Sequence, residues 1–116
     1  MSNERTFLDY LEDVSGSISD IRSFIQGMSA DRFIADKKTV NAVIRSLEII
    51  GEATGKIPMD IRRRYPDVPW DEIIAMRNRL IHEYFGVDLD IVWQTIHEDL
   101  LPLETSIKAI LRDNSA

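Results

Sequence analysis

The 116-residue sequence contains no cysteine, and that single absence removes disulfides, thiolate nucleophiles and zinc–thiolate sites. Histidine is nearly as scarce, with only His82 and His97. Neither a Glu-x-x-His pair nor a His-Glu-x-x-His segment occurs, so two common helical spacings for metal ligands are missing. No metal and no other cofactor is expected. Glycine never forms a phosphate-cradling loop, and Gly51-Glu-Ala-Thr-Gly55 reads as a helix end. Long apolar runs are also lacking, which leaves nothing able to cross a bilayer. Met1-Ser-Asn-Glu-Arg5 does not show the basic start and apolar stretch of a secretory leader. These absences set the expectation of a cytoplasmic protein without a membrane partner.

What is present is ordinary globular material, 44% hydrophobic and 29% charged, in a length suited to one domain spanning 1–116. The net charge of −6 would argue against any nucleic acid as a partner if it were spread evenly, and DNA is not expected as one. The charge is unevenly spread. Residues 56–84 hold six basic side chains (Lys56, Arg62, Arg63, Arg64, Arg77 and Arg79) against five acids, so the remainder of the chain carries about −7. An anionic ligand belongs on that stretch of the chain, although a solvated basic helix end would leave the same trace.

Apolar residues recur at steps of three and four throughout, and no period-two alternation supports a strand. Phe7, Leu11, Val14, Ile18, Ile21 and Ile25 predict a helix over about 4–27, stopped by Gly27. Ser29 is placed to cap a short turn, and Asp36 to cap a helix over about 37–56, whose stripe is Val40, Val43, Ile44, Leu47, Ile50 and Gly51. Pro58, Pro66 and Pro69 confine the following connector to one short helix around 59–64. Pro69 suits the first position of the next helix, over about 70–85, with Gly86 as its stop. Asp88 should cap a last helix to about Leu111, bent at Pro102 and striped by Leu89, Val92, Trp93, Ile96, Leu100, Leu103, Ile107 and Ile110. The expected fold is all-α, an up-and-down bundle of four main helices plus short connecting helices.

Chemistry concentrates in helix 70–85. Ile73, Ile74, Met76, Leu80 and Ile81 form its apolar arc at about 100° per residue. Arg77 falls inside that arc, where a permanently charged guanidinium is costly unless paired. Glu48 and Glu52 flank the stripe of the second long helix and are candidate partners. His82 falls opposite the arc, with Asn78 one turn before it, and so should face solvent or a second subunit. Phosphoryl transfer needs a proton-transfer group near neutral pH and a fixed positive charge for the phosphate oxygens. Arg77, Asn78, Arg79, His82 and Tyr84 place both within eight residues.

The segment Arg77-Asn-Arg-Leu-Ile-His82-Glu-Tyr84 has the form Arg, four residues, His, one residue, Tyr, with a polar residue directly after the Arg. It resembles the signature of the HEPN superfamily, specifically its HepT-like toxins. The Arg45-Ser-Leu-Glu-Ile-Ile-Gly-Glu-Ala53 stretch and the Pro69-Trp70 pair are similar to that family as well. The resemblance implies a metal-independent endoribonuclease acting as a homodimer, the toxin of a toxin–antitoxin pair. By that resemblance Arg77 and His82 carry catalysis and Asn78 supports them. The implied partner is an MntA-like nucleotidyltransferase antitoxin that uses ATP to attach AMP to Tyr84 and silence the toxin. A dimer also suits the residues themselves. Cleavage through the 2′-hydroxyl needs both a base and an acid, and one chain offers one motif histidine.

The rival reading is a non-catalytic helical module that only holds a nucleotidyltransferase, with Arg77 in a core ion pair and His82 at an interface. A nucleotide-binding accessory domain is a third option. Arg63 and Arg79 are candidates to contact RNA phosphates, against the alternative of a solvated turn. His97 is expected to be a half-buried structural residue beside the last stripe, and Trp70 and Trp93 to be packing residues.

Overall fold

The computed structural model describes residues 5–82 and 88–114, with backbone alone at 80–82. Among the described residues every regular element is helical. Helix α1, Phe7–Phe24, begins where the Thr6 N–H donates to the Asp9 carboxylate at 2.8 Å, so an orphan donor at the helix start is satisfied. The chain then reverses in a turn closed by the Met28 N–H on the Ile25 carbonyl. Gly27 adopts φ +77 there, a conformation a side chain would resist. The expected stop at Gly27 is this turn.

Ser29 caps α2, Ala30–Ala35, by accepting from the Arg32 N–H, and Asp36 caps α3, Lys37–Gly55, by accepting from the Thr39 N–H at 3.1 Å. Helix α4 spans Met59–Arg64 and α5 spans Trp70–His82. The first α5 bond runs from the Ile73 N–H to the Pro69 carbonyl, so Pro69 is the flanking cap position rather than the first helical residue. The expected continuation of α5 to Phe85 and its stop at Gly86 lie outside the described residues.

The last third departs from the expected bent helix. Helix α6, Leu89–Thr95, capped by Asp88, passes into a π-helical turn at Ile96–Leu100 and then into α7, Leu101–Asp113. The Leu101 N–H bonds the Ile96 carbonyl, five residues back. Pro102 therefore stands in the first turn of α7, where its missing N–H is tolerated. One extra residue in the wider turn meets the constraint that a kink at Pro102 was expected to meet.

Helix α3 packs against both α1 and α5, and α7 packs against α1. Leu11, Val14, Ile18 and Ile21 of α1 meet Val43, Ile44, Leu47 and Ile50 of α3 in one continuous core with Ile107 and Ile110 of α7. Phe33 of α2 is fully buried, its ring 5.2 Å from that of Trp93. The Glu104 carboxylate, largely buried on α7, is held by Arg22 of α1 at 2.8 Å and ties the two helices together. Between α5 and the π-turn and α7 the bundle is less tightly closed. Ile73, Met76, Leu100 and Leu103 line a cleft of about 410 Å³ there, with Glu72, Arg79 and Asp99 on its walls.

Candidate active site

The seat of α5 on α3 is built by a glycine. A Cβ at Gly51 would stand 3.3 Å from the Arg77 Cα and 2.6 Å from its Cγ, and closer still to its Cβ. Carbon atoms settle at roughly 3.5–4.0 Å, so the two helices approach here only because position 51 has no side chain. Trp70 fixes the start of the same helix. It is buried, and its indole N–H donates to the carbonyls of Arg62 and Tyr65, closing the exposed end of α4.

Arg77 thus projects from the contact between α3 and α5. Its side chain is half-buried, and its Nε is fully buried without a hydrogen-bond partner. Its Nη1 donates to Asn78 Oδ1 at 3.4 Å. The expected pairing with Glu48 or Glu52 is not found. Glu48 faces Arg45 at 3.8 Å on its own helix, and Glu52 borders a shallow depression with Arg5, Tyr10 and Lys56. The reason is geometric: the Gly51 contact puts the root of Arg77 against α3 between those acids, and neither turns inward. Among the described residues the guanidinium has no carboxylate partner.

That condition is chemically informative. A buried, unpaired guanidinium N–H forfeits hydration without a compensating bond, a cost of about 1–3 kcal/mol. Arg cannot relieve it by losing its proton. The arrangement keeps a permanent cation with an unmet donor beside an exposed face of α5 that also carries Asn78 and Arg79. A tetrahedral or pentavalent phosphoryl group offers the outer nitrogens of such a guanidinium the anionic oxygens of a charge-assisted bond, while the buried Nε stays beneath them. His82 ends the described part of α5, one turn beyond Asn78 along the helix. The direction of its side chain and everything at Tyr84 lie outside the described residues.

The remaining basic residues divide. Arg62 is structural: its Nε donates to the Ile57 carbonyl at 3.0 Å, and its Nη2 to those of Gly55 and Thr54, so it caps the C-terminal end of α3. Arg63 is exposed beside a depression with Pro66, Trp70 and Glu72. Arg79 is exposed at the cleft opposite Asp99. Neither has an ion pair among the described residues, but Glu72 borders both sites and lowers the local positive potential. His97 is exposed rather than half-buried. Its ring lies 4.4 Å from that of Trp93, with Nδ1 2.9 Å from the Trp93 carbonyl, because the π-turn rotates it off the core side. No group of three or more potential metal ligands occurs among the described residues, and no described helix is long and apolar enough to cross a membrane.

The roles of Gly51 and Arg62 escaped the sequence reading. Gly51 did carry a signal, since a glycine inside a helical stripe costs roughly 1 kcal/mol relative to alanine and so marks a close approach. Arg62 carried none, because three clustered arginines look alike until the chain end that one of them caps is in place.

Comparison with known proteins places the chain in a family. The profile described as Ribonuclease HepT-like matches residues 14–110. A protein of Thermococcus cleftensis named "Probable ribonuclease HepT" is 48% identical over 101 residues, covering 87% of this chain and 92% of that one. A protein of Methanocaldococcus jannaschii provisionally named as an RNase is 41% identical, covering 95% of both chains. Another so named, from Caldanaerobacter subterraneus, is 42% identical across 89% of this chain and 92% of its own. No solved structure matches the chain.

Proposed function

The chain belongs to the HepT-like ribonuclease family and is an endoribonuclease, and on that premise we propose that it is the toxin of a toxin–antitoxin pair, cutting RNA without a metal in a homodimer. The observation that carries the reading is the seat of Arg77: a permanent cation with a buried, unpartnered Nε and, among the described residues, no carboxylate to neutralise it. Such a group is poised for a charge supplied from outside the fold. Arg77 would steady the phosphorane, Asn78 would orient its guanidinium through the Nη1 bond, and His82 would move the proton between the 2′-hydroxyl and the leaving 5′-oxygen. Two chains meeting along α5 would supply two such histidines, one as base and one as acid. Arg63 and Arg79 would hold flanking phosphates. An MntA-like nucleotidyltransferase would silence the enzyme by attaching AMP to Tyr84, placing a bulky anion two residues from His82.

The binding-module alternative relied on Arg77 as a core ion pair, and no such pair exists among the described residues. The test is cleavage of a fluorophore–quencher RNA in the presence of EDTA. The wild-type chain is expected to cut with the chelator present, and His82→Ala to lose at least a hundredfold in rate while melting at the wild-type temperature. Full activity in His82→Ala would remove the catalytic assignment, and loss of wild-type cutting in EDTA would remove metal independence.

A further inference from the structure

We propose that Gly51 is the positioning residue of the active site, holding Arg77 at its working depth through the contact of α3 with α5. The inference rests on the catalytic reading of Arg77 and adds to it a residue that touches neither substrate nor proton. Three observations meet at this point. A Cβ at position 51 would fall 2.6 Å from Arg77 Cγ and 3.3 Å from Arg77 Cα, so it would strike the root of the side chain and the helix backbone rather than a flexible tip. Gly51 is buried inside α3, one turn before its C-terminal end, where neither a turn nor a positive φ calls for glycine. Finally, the same depth that this contact permits buries Arg77 Nε without a partner.

A methyl group at position 51 forces the root of Arg77 outward by roughly 1.5–2 Å to reach ordinary carbon contact. Misplacement on that scale costs catalytic rate by up to about a hundredfold when a group must meet a transition state at a fixed position. It does little to RNA affinity, which depends on cations spread over a wider surface. The other helical glycines provide the contrast. A Cβ at Gly16 or at Gly55, the latter in the same helix as Gly51, would meet nothing within 4 Å.

The experiment measures kcat and KM on the fluorogenic RNA, with circular dichroism melts, for Gly51→Ala, Gly55→Ala and Arg77→Ala. Positioning predicts that folded Gly51→Ala loses roughly 10- to 100-fold in kcat, keeps KM within about threefold, and leaves Gly55→Ala at the wild-type rate. A folded Gly51→Ala with wild-type kcat, or with its loss confined to KM, overturns the inference while leaving Arg77 catalytic if Arg77→Ala is inactive. A folded and active Arg77→Ala overturns both. Should Gly51→Ala fail to fold, the double variant Gly51→Ala/Arg77→Gly decides. Recovery of the native spectrum on removing the Arg77 side chain supports the seat, and continued failure overturns it.

Discussion

In the proposed active site, Arg77 would keep a cost that a purely structural position would have shed. A core arginine is ordinarily retained beside a carboxylate, and deleting it then strands the acid at a penalty of about 3–5 kcal/mol. Among the described residues no acid would be stranded here, because Glu48 and Glu52 look elsewhere. Replacing Arg77 by methionine preserves much of the stem packing and removes the unmet donor. Arg77→Met is therefore expected to melt at or above the wild-type temperature while losing RNA cleavage, a separation of stability from function. A fall in stability of about 3 kcal/mol or more in a urea titration would instead reveal a charged partner. Tyr84 is tested at the same scale. Incubation with ATP and the nucleotidyltransferase should add the mass of AMP to the peptide holding Tyr84, and Tyr84→Phe should stay unmodified yet keep cutting RNA. Modification of the phenylalanine variant at another peptide would transfer the switch to that residue.

The helices were legible because their boundaries rest on local chemistry. Ser29, Asp36 and Asp88 each accept backbone N–H groups at the positions that spacing assigns them. Where non-local or cooperative effects decide, the sequence was silent. The residue count around Pro102 does not say whether the chain kinks or widens into a π-turn, since either relieves the missing N–H. The partner of Arg77 was misread because periodicity ranks residues by face and not by depth, and depth at this contact is set by Gly51. The Asp36 cap also yields a pH prediction. Its bonds to the Thr39 N–H and hydroxyl hold its carboxyl below the usual 3.8. A carboxylate with a lowered folded-state pKa stabilises fully above that value and loses its contribution as the pH falls through the lowered one. Asp36→Ala should thus melt below the wild-type protein at pH 7, and the gap should close under strongly acidic conditions. A gap that is the same at both ends of the titration would show that the ionised cap is not responsible.

Over the whole molecule, charge and catalysis impose the same requirement. A chain at −6 approaches RNA against its own field, and the quarter of the sequence that contains α4 and α5, with six bases against five acids, is its most basic part. Joining two copies along α5 would unite those two near-neutral surfaces and turn more acidic parts outward, so a dimer that brought two histidines together would also lower the repulsion over the substrate groove. The packing leaves room for this arrangement: α5 is seated on α3, while Asn78 and Arg79 remain exposed on it. Sedimentation at micromolar concentration is expected to give about twice the 13.4 kDa of one chain. Mixing inactive His82→Ala chains with wild-type chains provides the sharper measurement. If each cut needs a histidine from both protomers, activity per wild-type chain should fall with the fraction of mixed dimers, as the square of the wild-type fraction overall. Activity that declines only in proportion to the wild-type chains present would mean that each protomer cuts alone, and the two-histidine mechanism would have to be abandoned even if the protein is dimeric.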